Sequence, residues 1–241
     1  MKRRETIFIS DLHLTGARES TVSRFLHFLT HRAIESERLC ILGDLFDTYL
    51  GDDDRSHPYD SVRRQLSALS QSGTEIYFQP GNRDFLIGEA FAQATGVILL
   101  DDRAVMDLYG TQTLLMHGDL LCTDDVNYLA ARARIRTPEW RAYALGKPLW
   151  VRRLYARWYR FKSGKDKGGK SMEIMDANEA AILSTMMELK VTRLIHGHTH
   201  RPAHHTFSHD GLALERVVLP EWNGNEWLVT ADSNGIQQQP L

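Results

Sequence analysis

The 241-residue chain predicts an α/β fold: a layered domain with a mixed sheet, interrupted by one helical insertion. Three observations predict it. Short apolar, β-branched runs alternate with stretches of helical periodicity as far as Gly96. Beyond Gly96 the apolar runs crowd together, as strands joined by tight turns do. The early strands end on polar turns, often beside a glycine, where open α/β sheets bind ligands.

Each element follows in order. Residues 6–10 are a β-branched run ending in polar residues, a buried strand. Val22, Phe25, Leu26 and Leu29 recur at helical spacing and predict an amphipathic helix over roughly 20–34. Residues 39–42 form a second strand, ending at Gly43-Asp44. Val62, Leu66 and Leu69 mark a second helix, closed near Gly73. Residues 75–79 make a third strand that runs into Pro80-Gly81-Asn82. This alternation predicts βαβ units with parallel strands. Strands follow over 97–100, 105–109 and 113–116, with a hairpin turn at Tyr109-Gly110-Thr111. Residues 124–170 are helical, broken at Pro138 and Pro148 and ending in a loop over 163–169. A longer helix is predicted over 172–190, with Met175, Ile182, Met186 and Leu189 on one side. Leu194-Ile195 leads into His196, and further strands are expected near 214–219 and 227–231.

Composition narrows the function. The formal charge of −2 gives no reason to expect a general nucleic-acid binder. The two cysteines, Cys40 and Cys122, are far apart and argue against a disulfide framework or a thiolate zinc site, though they could still pair in space. The apolar run after the basic N-terminus is too short for a signal peptide, and no stretch reaches the roughly 18 apolar residues needed to cross a bilayer. Charge is segregated: residues 126–170 hold eight arginines and five lysines against Glu139 and Asp166, an excess of +11 in a chain of net −2. Trp140, Trp150 and Trp158 share this segment with Tyr128, Tyr143, Tyr155, Tyr159 and Phe161. A cationic, aromatic stretch suits an anionic, partly apolar partner, and Arg152, Arg153, Arg157 and Arg160 are its expected cationic contacts to a bilayer surface.

The chemistry sits in five segments after predicted strands: Asp11-Leu12-His13, Gly43-Asp44, Gly81-Asn82-Arg83-Asp84, His117-Gly118-Asp119 and His196-Gly197-His198-Thr199-His200. Hydrolysis of a phosphate ester needs a deprotonated water in line with the leaving group, and two divalent ions about 3.5–4 Å apart supply one. A bridging carboxylate with imidazole and amide ligands, without thiolate, suits manganese, iron or zinc.

The order of these segments resembles the calcineurin-like metallophosphoesterases. The resemblance implies a four-layer αββα sandwich of mixed sheets, with residues 1–122 and 171–241 as the catalytic domain and 123–170 as a helical lid. It implies that one ion takes Asp11, His13, Asp44 and His200, and the second takes Asp44, Asn82, His117 and His198. Arg83 stands where many members carry a histidine; arginine stays protonated and cannot act as a general acid. A phosphate-monoester leaving group, with a second pKa of about 6, does not need one, so Arg83 favours a pyrophosphate substrate. The longer segments, Ile7 to Leu14, Ile41 to Phe46, Gly81 to Leu86, Met116 to Asp125 and His196 to Pro202, resemble the branch of lipid A biosynthesis in Gram-negative bacteria. That likeness implies manganese-dependent hydrolysis of a UDP-diacylglucosamine lipid to 2,3-diacylglucosamine 1-phosphate and UMP. It implies Asn82, Arg83 and His198 as catalytic residues and Asn82, Arg83, Asp125, Ser163, Lys167, Lys170 and His198 as substrate contacts. It also implies a peripheral place on the cytoplasmic side of the inner membrane, with no obligate protein partner.

The remaining residues carry blander readings. His27, His31, His57, His204, His205 and His209 are surface or core residues, and Asp52-Asp53-Asp54 is a solvated loop. His196 faces opposite its alternate neighbours and stands behind the ligands at most. Asp47, Asp84 and Asp119 orient ligands or turn the chain. The competing functions are another metallophosphoesterase activity, a DNA nuclease, or a non-enzymatic metal-binding scaffold.

Overall fold

The computed structural model describes residues 3–167, 176–224 and 227–241. Two mixed sheets lie face to face. The first has the order β11-β10-β1-β2-β3-β4, from Gly235–Pro240, Trp227–Asp232, Arg3–Ile9, Ser36–Leu42, Glu75–Gln79 and Ile98–Leu99. Strands β1 to β4 are parallel, and β10 and β11 add antiparallel edges. The second sheet has the order β5-β6-β7-β9-β8, from Ala104–Leu108, Thr111–Met116, Arg193–His196, Leu212–Val218 and Ala203–His209.

Strand periodicity builds the layers. Successive side chains of a strand point to opposite faces, so Ile7, Ile9, Leu39 and Ile41 face one core and Phe8, Cys40 and Leu42 another. The first core lies under α1 (Glu19–His31), α2 (Tyr59–Gln71) and α3 (Glu89–Thr95). The second lies between the sheets, where Phe8, Cys40 and Leu42 meet Leu115, Ile195 and Val217. A third packs Leu114, Met116 and Leu194 against Ile182 and Met186 of α7 (Glu179–Glu188). Four layers result, α/β/β/α, as the sequence implied, and strands buried on both faces explain the unbroken apolar runs. Cys40 and Cys122 are buried and are not joined in a disulfide.

Among the described residues three α-helices stand between β6 and α7: α4 (Val126–Ile135), α5 (Pro138–Leu145) and α6 (Leu149–Lys167). Pro138 starts a helix rather than merely breaking one. It occupies the first turn, where its missing N–H costs nothing, behind a Thr137 side-chain cap. The expected loop over 163–169 is helical as far as Lys167. The helix expected over 172–190 is shorter within the described residues: α7 begins at Glu179, where the Asn178 side chain accepts from the N–H groups of Ala180 and Ala181. Among the described residues, the helix α3 and the strands β8 and β11 were not anticipated.

The solvated loop at Asp52-Asp53-Asp54 is a correction. Asp54 is buried and pairs with Arg153 at 2.9 Å, Asp53 pairs with Arg152, and Asp52 accepts from the Tyr49 hydroxyl. Arg152 and Arg153 therefore dock α6 on the loop that follows β2.

Candidate metal centre and active site

The segments at the ends of β1, β2, β3, β6 and β7 converge. Backbone bonds interlock the first two turns: Asp11 N–H donates to Gly43 O at 3.1 Å, His13 N–H to Asp44 O at 2.9 Å, and Leu14 N–H to Leu45 O at 2.9 Å. Gly197 N–H donates to His117 O at 2.9 Å and joins the last two. Asp11, His13, Asp44, His198 and His200 all adopt positive φ, between 49° and 68°. This left-handed conformation is costly for residues with a Cβ and collects at functional sites. Gly81 and Gly197 give the needed clearance: a Cβ on Gly81 would strike the Asp44 carboxylate, and one on Gly197 would strike Ser10 and Asp11.

Asp11, His13 and His200 bring ligand atoms within 4.8 Å of one another, and so do Asp11, Asp44 and His117. His117 Nε2 lies 3.7 Å from Asp44 and His13 Nδ1 3.9 Å from it, while His200 Nε2 lies 3.3 Å from Asp11 Oδ1. Asn82 Oδ1 stands 2.9 Å from His117 Nε2 and 3.1 Å from His198 Nδ1. All seven expected ligands thus meet at one place.

Two observations fit this cluster to cations. The donors are carboxylate, imidazole and amide oxygen, the set that holds hard or borderline divalent ions. His13 Nδ1 is also buried without a hydrogen-bond partner, and such an atom is rare in a folded protein unless something else satisfies it. His117 is oriented for the task. Its Nδ1–H donates to Leu42 O at 2.9 Å, which leaves the Nε2 lone pair facing Asp44 and Asn82.

Electrostatics follows from burial and crowding. Burial pushes Asp44 up, the Asp84 and Asp11 charges push further, and His117 opposes them. Burial would also raise Asp11, but a hydrogen bond from His200, the nearby His117 and His200, and the Ser10 hydroxyl at 2.6 Å hold it below the usual range. Burial lowers His13 and His198 to about 4. Burial would lower His117 too, yet Asp44, Asp11 and Asp119 raise it. His200 is raised by its bond to Asp11, against burial.

The other expected residues divide. Arg83 shares the Asn82 turn; its N–H donates to Asp44 Oδ1 at 2.8 Å and its guanidinium lies 4.0 Å from Asp47. Asp84 is buried and accepts N–H bonds from Gly81, Leu45, Asp44 and Phe46. Asp119 accepts from Tyr128 and Arg132 of α4. His196 has both ring nitrogens engaged, by Gly197 O at 2.8 Å and Arg216 Nε at 2.9 Å, so it is no ligand. Asp125 caps α4 through the Tyr128 N–H. The side chains of Ser163 and Lys167, and the whole of Lys170, lie outside the described residues. Glu221, not singled out in the sequence, lies 3.0 Å from His200 Nδ1. It lies just past the end of β9, where a lone glutamate carries no signal in the sequence.

The fold and this centre define a calcineurin-like phosphoesterase. The family model of that description matches residues 5–202, and the chain belongs to the family. Among curated proteins it is 45% identical over 98% of both chains to the UDP-2,3-diacylglucosamine hydrolase of Marinobacter nauticus. The proteins of that name from Vibrio vulnificus and Enterobacter sp. are 42% and 44% identical, over 98% of both chains and over 96% and 97% of the two chains respectively.

Proposed function

We propose that the chain is a metal-dependent pyrophosphohydrolase that cleaves UDP-2,3-diacylglucosamine to 2,3-diacylglucosamine 1-phosphate and UMP in lipid A biosynthesis. The observation that carries this reading is the convergence of Asp11, His13, Asp44, Asn82, His117, His198 and His200 on one buried centre, in a chain 41–45% identical along nearly its full length to relatives of that name.

Two manganese ions are assigned to it, one to Asp11, His13, Asp44 and His200, the other to Asp44, Asn82, His117 and His198. Bound there, they would lower the pKa of a water and neutralise phosphoryl oxygens. Arg83 remains cationic and pairs with a phosphate oxygen. Asn82 and His198 hold the reacting phosphate, and a phosphate-monoester leaving group, from either side of the pyrophosphate, needs no protonation. Asp125, Ser163, Lys167 and Lys170 are assigned to the substrate.

Residues 123–170 form the lid over the acyl chains. Tyr143, Trp150, Leu154, Tyr155 and Trp158 are each more than half exposed, and a cluster of exposed apolar side chains marks a lipid or partner surface. Among the described residues no helix is long and apolar enough to cross a membrane. The proposed bilayer contact is peripheral, on the cytoplasmic side of the inner membrane.

A panel of UDP-diacylglucosamine, a dinucleoside polyphosphate, a cyclic nucleotide and a phosphoprotein, each with manganese and read by product mass, tests the activity. UMP is expected from the first alone, and D44A and H117A are expected to abolish it. UMP release by D44A, or none by the parent, would end the reading. For the membrane contact, W150E and W158E should reduce sedimentation with anionic vesicles, and unchanged sedimentation would refute it.

A further inference from the structure

Glu221 lies in the turn after β9, beyond residue 202 where the family match ends. Both sides of it are pinned. Leu219 N–H donates to His196 O at 2.7 Å, and Trp222 N–H donates to Asp11 O at 3.3 Å. The Trp222 indole is buried edge-on against Phe25 and Phe28, with ring centroids at 6.0 and 5.6 Å. The Glu221 carboxylate is thereby held at the rim of the centre, with Oε2 3.0 Å from His200 Nδ1.

A carboxylate has no proton to give, so this bond places the imidazole proton on Nδ1. Nε2 is left facing Asp11 Oδ1 at 3.3 Å, so that the two atoms are offered together to one cation. His117 is oriented by a neutral acceptor, Leu42 O, at 2.9 Å. His200 is oriented by an anion.

We propose that Glu221 is a positioning residue for His200: it fixes the ring and its tautomer so that Nε2 is presented, with Asp11, to the first of the two cations. The proposal rests on the assignment of His200 as a ligand. It gives the segment after β9 a part in the metal centre and makes the two cation positions unequal in their support. Carboxylate–histidine pairs of this kind typically govern metal affinity by about 10–100-fold.

The test is a titration of the metal-free, full-length protein with Mn2+, following free Mn2+ by electron paramagnetic resonance, for the parent, E221A and E221Q. Thermal melting of each metal-free protein runs alongside. The parent is expected to bind two ions. E221A should keep one ion and bind the other about 10–100-fold more weakly, while the glutamine carbonyl of E221Q still accepts from Nδ1–H and keeps affinity within about threefold. The metal-free melting temperatures should coincide. The proposal is overturned if E221A binds both ions like the parent, if E221Q loses as much as E221A, or if the metal-free E221A protein melts lower than the parent. A parent that binds no Mn2+ would instead defeat the metal assignment itself.

Discussion

Asp84 receives four backbone N–H groups, from Gly81 at 2.7 Å, Leu45 at 2.8 Å, Asp44 at 3.3 Å and Phe46 at 3.4 Å. One carboxylate thus ties the turn that carries Asp44 to the turn that carries Asn82. Substitution of Asp84 by Ala leaves those donors buried without an acceptor, at about 1–3 kcal/mol for each that finds no other partner. D84A is expected to lose on the order of 3 kcal/mol, and its melting temperature to fall by roughly 10 °C. Gly81 gives the complementary case. The Cβ of G81A would meet the Asp44 carboxylate and backbone, so the ligand is displaced while the packed layers remain. Activity should drop on the order of 100-fold with a melting temperature close to that of the parent. A G81A protein with full turnover would show that the turn relaxes. The pattern of Asp, His, Asn and Gly at strand ends was legible in the sequence because each residue carries its chemistry with it. Glu221 was not, since a lone glutamate after a strand is no signal until His200 stands beside it.

Elements were legible where burial dictated their pattern. β1, β2 and β3 are apolar on both faces and were read from that alone, whereas β8 and β11 are polar edge strands, Ala203–His209 and Gly235–Pro240. An edge strand has little buried surface to imprint on its sequence. The helix α3 is only seven residues long and ends at Gly96 in the left-handed conformation, too brief for a periodic signal. The basic insertion was legible as helix and as charge, but not in the use of that charge. Arg132 is buried and pairs with Asp119 at 2.6 Å and Asp102 at 2.8 Å. Arg136 donates to Gly81 O at 2.8 Å, and Arg141 donates to Phe85 O and to Ile87 O. Much of the positive charge therefore fastens α4 and α5 to the catalytic sheets. R132A strands the buried Asp119 carboxylate with only Tyr128 and the more distant Arg136 for support, a loss of about 3 kcal/mol. Amide exchange should rise along α4 in this variant. In R132M combined with Asp119→Asn, where no charge is left unpaired, much of the stability should return. Equal melting temperatures for R132A and the parent would contradict this account.

At the scale of the whole molecule, the catalytic centre joins two sheets that share no strand pairing among the described residues. Asp11, Asp44 and Asn82 follow strands of the first sheet, and His117 and His198 follow strands of the second. A cation bound to both sets cross-links the sandwich at one end, so binding must stabilise the folded chain. At a free concentration 100 times Kd, one ion contributes about 2.7 kcal/mol, or roughly 5–10 °C in melting temperature for a chain of this size. The pH dependence has a definite sign. Ligand groups must lose their protons to bind metal. His117 is raised by Asp44, Asp11 and Asp119 despite its burial, His200 is raised by its bond to Asp11, and Asp44 is raised by burial. In the metal-free protein these three hold protons to higher pH than usual, and the ion must displace them. His13 and His198, held at about 4, offer no such competition. The rise in melting temperature on adding Mn2+ should therefore be larger at pH 8 than at pH 6, and chelation should abolish it at both. A rise independent of pH would mean that the ion binds groups other than these histidines and Asp44.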